Sequence, residues 1–169
     1  YGFPDAPERL AILKDTLEVA RAMMTDDRAT YAGKHRHTDG AINRPRPVQQ
    51  PRVPIMVGGN GPNVTWRLAA RYADELNLDG LTPAEVKDAL PTISARCEEI
   101  GRDPASLSVS VHVWWEQLVE TGAARSDLLA RYRELGIRRV IGMVRDTADS
   151  DEALAVWADD CRAAGAELA

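Results

Sequence analysis

Apolar residues recur at helical spacing from Pro7 to about Met24, where Leu10, Leu13, Leu17, Ala20 and Met24 share one stripe. That spacing predicts a helix. The stretch 26–53 has no such period: it is polar and basic, and Arg44-Pro45-Arg46-Pro47 disfavours helix, so it reads as a long connection. From Pro54 the pattern becomes regular. Ile55-Met56-Val57 is a short apolar run ending in Gly58-Gly59-Asn60-Gly61-Pro62, and Val64, Leu68, Ala69 and Tyr72 then keep helical spacing. Leu76-Asn77-Leu78 is a second strand. Thr82 with Pro83 and Glu85 forms a capping box for a helix whose stripe is Val86, Leu90, Ile93, Cys97 and Ile100, stopped by Gly101. Leu107 to Glu116 alternates strictly, with Val109, Val111, Val113 and Trp115 on one face and Ser108, Ser110, His112 and Trp114 on the other. A helix around Leu128, Tyr132 and Leu135 follows, then a strand from Arg139 to Val144. Asp149 and Glu152 are expected to cap a last helix through Leu154, Trp157 and Cys161.

Strands that alternate with helices predict a parallel sheet with right-handed crossovers, either open and doubly wound or closed as a (β/α)8 barrel. The 107–116 strand favours the barrel. Its apolar face suits packing under helices, and its small, polar face suits a lumen, whereas an open sheet would bury both faces. Four strand–helix units are half of such a barrel, which runs to roughly 250 residues.

Composition narrows the class further. The 169 residues are 44% hydrophobic and 28% charged, an ordinary globular balance, and the net charge of −5 argues against nucleic acid as a partner. Two cysteines, Cys97 and Cys161, are too few for a disulfide framework, and both fall on helix stripes as small core residues. No run of eighteen apolar residues occurs and the opening lacks a signal-peptide pattern, so a cytoplasmic protein outside the membrane is expected. The chain opens on Tyr1 without a Met.

The turn after Val57 is the strongest chemical signal. It follows a strand and precedes a helix, so free amides and the positive helix end converge on glycines that admit an anion such as a phosphate. It is neither a P-loop nor a dinucleotide fingerprint, and a plain tight turn would look the same. His112 and Trp114 lie near the end of their strand, the face on which barrel enzymes place their chemistry, and Asn77 and Asp79 occupy the equivalent end of the preceding strand. His35, His37 and Asp39 lack the spacing of a metal site and read as solvated loop. Arg44, Arg46 and Arg52 could meet an anionic ligand, though such residues more often face solvent.

Several segments together resemble the bacterial luciferase-like monooxygenase superfamily. They are Leu17-Glu18-Val19, Tyr31-x-Gly33-Lys34-His35, Arg44-Pro45-Arg46-Pro47-Val48-Gln49, Pro54 to Gly61, and Leu68-Ala69-Ala70-Arg71-Tyr72-Ala73-Asp74. Within it they are most similar to actinobacterial oxidoreductases that use the deazaflavin coenzyme F-420 (F420). The resemblance covers essentially the whole chain, 1–169, but only the C-terminal half of a family member. It implies a (β/α)8 TIM barrel of luciferase-like type, with 1–53 as helix and insertion loop and 54–169 as four βα units carrying strands five to eight.

It also implies that Gly58, Gly59, Asn60, Gly61, Pro62 and Asn63 hold the ribityl and phosphate groups of F420, or alternatively of FMN. Asn77, Asp79, His112, Trp114 and Arg145 would then line the substrate pocket, with the acid–base residues expected in the N-terminal half. The chain departs from the family in having Glu75-Leu76 after Ala73-Asp74, which leaves the substrate open. The implied activity is hydride transfer between the cofactor and a small organic substrate, or FMN-dependent monooxygenation. The implied partner is the N-terminal half or a second copy of the chain. A half-barrel that binds cofactor or dimerises without turnover is one alternative. Another is a different phosphate-ligand barrel enzyme, for which Glu116 is the nearest candidate acid.

Overall fold

The computed structural model describes residues 2–118, 120–147 and 150–167. Helix α1 (Ala6–Thr25) starts with proline in its first turn, and the Asp5 carboxylate accepts the Glu8 amide at 2.9 Å as its cap. Its buried residues are Leu17 and a carboxylate, Asp15. Asp15 explains why the segment after α1 is not the featureless connection expected for 26–53. Strands β1 (Ala29–Ala32) and β2 (His37–Ala41) form an antiparallel hairpin there. Its bend is held on Asp15, which accepts from the Tyr31 hydroxyl at 2.8 Å, the His35 amide at 2.7 Å and the Arg36 amide at 3.3 Å.

These donors, the His35 amide foremost and then the Tyr31 hydroxyl, hold the Asp15 carboxyl below its ordinary range against the opposing effect of burial. A carboxyl depressed in the folded state stabilises above its unfolded pKa, and that contribution drains as pH falls through the folded value. Asp15→Asn is therefore expected to melt below the parent chain at pH 7, with the gap narrowing as pH drops below about 4. Circular dichroism melts at pH 7 and pH 3 read this directly, and a gap of constant size would remove Asp15 from the account.

The remainder alternates strictly: β3 (Met56–Gly58), α2 (Thr65–Tyr72), β4 (Glu75–Asp79), α3 (Pro83–Glu98), β5 (Ser108–Val113), α4 (Ala123–Glu134), β6 (Arg139–Gly142) and α5 (Glu152–Ala163). The four strands pair in parallel in the order β3-β4-β5-β6. Neighbours in sequence are neighbours in the sheet and the order never reverses. That is the winding of a barrel; a doubly wound sheet reverses at a switch point. Val57, Leu76, Leu78, Val111 and Val113 are buried beneath the helices. The other face carries the aligned row Gly58, Asn77, Ser110 and Arg139, with Asp79, His112 and Ile141 in the row above.

Several boundaries differ from the sequence pattern. β5 ends at Val113, so Trp115 leaves the alternation and enters a 3-10 turn over Trp115–Leu118. β6 ends at Gly142 rather than Val144. Helix α5 is preceded by Asp151, whose side chain makes no cap, and the Glu152 amide donates to Ser150 Oγ at 3.1 Å; Asp149 lies outside the described residues. Ile100 and Leu154, placed on core stripes, are instead exposed at 49% and 44%. The capping box at Thr82 and Glu85 forms in full, and Cys97 and Cys161 are buried free thiols.

The arginines of the proline-rich stretch serve the fold. Arg52 forms a two-pronged ion pair with Asp74, whose Oδ2 also accepts the Ile55 amide at 2.7 Å, fixing the chain as it enters β3. Burial pushes the Asp74 carboxyl up, but Arg52 and that amide outweigh it and the net shift is downward. Arg46 pairs with Asp27 at 2.8 Å, and Arg44 lies 4.0 Å from the same carboxylate. Arg102 donates to the carbonyls of Ala70 and Ala73 at 2.8 Å each, closing the C-terminal end of α2.

Candidate functional site

The turn between β3 and α2 is built as a rigid hook. The Gly59 amide donates to the Asn77 carbonyl at 2.9 Å, and the Gly59 carbonyl accepts Trp66 Nε1 at 3.0 Å. Gly59 has φ +128°, and a Cβ there would lie 3.3 Å from Thr65 Cγ2, so only glycine fits without strain. Asn60 locks the turn onto the next strand: its Nδ2 donates to the Asp79 carbonyl at 2.7 Å and its Oδ1 accepts the Asp79 amide at 2.9 Å. The Asn60 side chain is thus committed to the scaffold, leaving its backbone for a ligand.

The helix begins at Thr65 behind Val64, so Pro62 and Asn63 belong to the preceding turn and not to the first helical positions. Val64 supplies no side-chain cap, and the Trp66 amide is taken up by the Gly61 carbonyl at 3.0 Å, which leaves the amides just before it at the mouth of the turn. Gly58 lies beside Asn77 in the row that faces away from the buried core. A Cβ there would meet only the Asn77 carbonyl, at 3.9 Å, so the glycine leaves open room against the backbone.

Three of the five expected pocket residues, Asp79, His112 and Trp114, gather at the ends of β4 and β5, and Asn77 lies one row below them in the middle of β4. Asp79 Oδ1 accepts Trp114 Nε1 at 2.9 Å and lies 3.5 Å from His112 Nδ1. The His112 and Trp114 rings are 4.4 Å apart, and Asn77 Nδ2 donates to the buried Ser110 hydroxyl at 2.8 Å. Arg145 stands apart from them. Its guanidinium sits 3.9 Å over the Trp115 ring, which meets Trp114 edge-on at 5.6 Å, and it opens on a separate cavity of about 440 Å³ with Thr121, Arg125 and Met143. The cluster also contains residues that the sequence did not single out. Gln117 accepts the Trp114 amide at 3.1 Å and donates to the Gly80 carbonyl at 3.0 Å, so it ties the two strand ends together. Its place in a 3-10 turn leaves no periodic signal.

Glu116 lines a different groove with Glu120 and Arg131 on the α4 side, away from this cluster. Among the described residues no three His, Cys, Asp or Glu side chains gather closely enough to hold a metal ion; His35 faces Glu8 at 3.9 Å. No described helix is long and apolar enough to cross a membrane.

A family model described as luciferase-like monooxygenase matches residues 1–164. An F420-dependent glucose-6-phosphate dehydrogenase of Nakamurella multipartita is 35% identical over 103 residues, 60% of this chain and 30% of that protein. An uncharacterised protein of Mycobacterium tuberculosis is 27% identical over 153 residues, covering 90% of this chain and 50% of its own length. The chain therefore spans half or less of the curated relatives it matches. Among solved structures, an F420-dependent secondary alcohol dehydrogenase in complex with an F420-acetone adduct superposes with TM-score 0.80 at 18% identity, over 96% of this chain and 64% of that one. A coenzyme F420-dependent tetrahydromethanopterin reductase from Methanopyrus kandleri gives TM-score 0.55 at 20% identity, over 92% and 46%. These structural likenesses bear on the fold.

Proposed function

We propose that this chain, which belongs to the luciferase-like monooxygenase family, forms the cofactor-phosphate side of an F420-dependent oxidoreductase acting on a small organic substrate. The observation that carries the reading is the hook from Gly58 to Asn63. It joins an uncapped helix start to a glycine whose missing side chain leaves room on the face away from the core. Backbone amides of Gly61, Asn63 and the adjoining Val64 receive the cofactor phosphate, and Gly58 and Asn60 let the ribityl chain lie against the backbone. Asn77, Asp79, His112 and Trp114 face the ring and substrate from the adjoining strands, while Arg145, stacked on Trp115 over a separate cavity, stays outside this wall.

When bound, a deazaflavin supplies two-electron hydride chemistry, and the protein's part is to orient it and exclude water. Asp79 holds the Trp114 indole and stands beside His112, so the three move as one wall of the pocket. The pairing of β3 and β6 on one side only leaves two strand edges that closure of the barrel requires to be met. Four further strands, from an N-terminal half or a second copy, complete the active assembly in this reading.

Titration of the chain with F420 and with FMN, followed by cofactor absorbance, tests the proposal. Saturable perturbation of the F420 band is the expected result. Binding of FMN in its place would move the chain to the flavin branch, and binding of neither would remove the cofactor reading.

A further inference from the structure

Behind the hook, two arginines from the outer helices grip it by its carbonyls. Arg96 of α3 donates through Nε to the Pro62 carbonyl at 2.9 Å, and Arg67 of α2 donates through Nη1 to the Asn63 carbonyl at 2.6 Å. Glu99 joins the two guanidinium groups. Its Oε2 accepts Arg67 Nε at 2.7 Å, and its Oε1 accepts Arg67 Nη2 at 3.1 Å and also Arg96 Nη1.

In a trans peptide the C=O and the following N–H point in opposite directions. Both peptide units here are trans. Drawing the Pro62 carbonyl towards Arg96 therefore aims the Asn63 amide away from α3, and drawing the Asn63 carbonyl towards Arg67 turns the Val64 amide away likewise. These two amides belong to the hook and the uncapped start of α2.

We infer that Arg67, Glu99 and Arg96 are positioning residues: by holding the Pro62 and Asn63 carbonyls they orient the Asn63 and Val64 amides for the phosphate group of the cofactor. The inference rests on the reading of the hook as a phosphate site. The arginines themselves are already engaged, so they act through the backbone and do not contact the anion. Glu99 is what keeps them in place. Its carboxyl is pulled down to about 2, by Arg67 first and Arg96 second, so it stays ionised throughout the ordinary pH range.

The experiment compares two ligands by fluorescence titration of the chain: F420, and the deazaflavin nucleoside that has the same ring and ribityl chain but no phosphate. Arg96→Ala is expected to weaken F420 about tenfold, the equivalent of one charge-assisted hydrogen bond, and to leave the nucleoside within about twofold. Glu99→Gln keeps the shape of the side chain and is expected to move the same ratio in the same direction, which covers the case that Arg96→Ala folds poorly. Arg96→Lys retains one donor to Pro62 and is expected to recover part of the loss. Equal losses for both ligands, or no loss for either, overturn the inference while the phosphate site stands. Wild-type chain that binds neither ligand overturns the site itself, and the inference with it.

Discussion

Replacing Gly58 by valine lowers the affinity for F420 by about tenfold or more and leaves the unfolding temperature within about 2 °C of the parent chain. Two properties of the position separate these effects. The backbone of Gly58 is ordinary strand backbone, and a Cβ built there has only the Asn77 carbonyl nearby, at 3.9 Å. A β-branched residue is at home in that conformation, so the fold has no reason to resist it. The added methyl groups instead enter the open room beside Asn77 on the face away from the core, where the cofactor is proposed to lie along the backbone. Gly59 would be the wrong residue for this test. Its φ of +128° and the approach of Thr65 make any side chain there a strain on the hook, and lost affinity would then report a damaged scaffold. Calorimetric titration with F420 beside a thermal melt reads both halves of the prediction. Unchanged affinity in Gly58→Val would mean that the cofactor does not pass over β3.

The features legible in the sequence are those encoded by residues close together in the chain. The capping box at Thr82 needs only Glu85, three positions on, and it forms as expected. The alternation of β5 needs only its own residues, and Val111 and Val113 are buried on the face it assigns. The sequential strand order follows from the repeated strand–helix pattern. What the sequence left hidden depends on partners far along the chain. The hairpin over 29–41 is anchored on Asp15, which sits in an amphipathic helix and looks there like one more polar residue.

The candidate site divides in the same way. Glycines after a strand announce a close-backbone turn, and the position of Asp79, His112 and Trp114 at strand ends marks residues that the structure brings together, with Asn77 one row below on Ser110. That Asn60 spends its side chain on the Asp79 backbone, nineteen positions away, has no local signal. Nor has the grip of Glu99 on Arg67, thirty-two positions away. Trp115 was misplaced because alternation continues through it in sequence while the chain has already turned.

The largest effect on stability is expected from Leu78→Ala, at about 2–5 kcal/mol. Leu78 has no exposed surface and stands in β4, an interior strand, paired in register with the equally buried Val111 of β5. Its side chain points away from the site face, into the cluster that includes Leu76, Val86 and Val113. Truncation removes buried methyl groups and leaves a cavity between strands whose pairing prevents them from closing it, so both the transfer and the cavity contributions are incurred. A typical domain has only about 5–15 kcal/mol in total, so the variant sits near the edge of folding. Leu154→Ala is the matched control: the same atoms are removed from a helix position that is 44% exposed, and the cost is expected to stay within about 1 kcal/mol. Urea unfolding followed by circular dichroism measures both. The neighbours of Leu78 in sequence, Asn77 and Asp79, carry the site on the opposite face of the same strand. Loss of the core contact should therefore loosen the register that aligns Asn77 with Gly58 and Ser110, and F420 affinity should fall along with stability. If Leu78→Ala and Leu154→Ala prove equally mild, the sheet is not the rigid platform on which the hook depends.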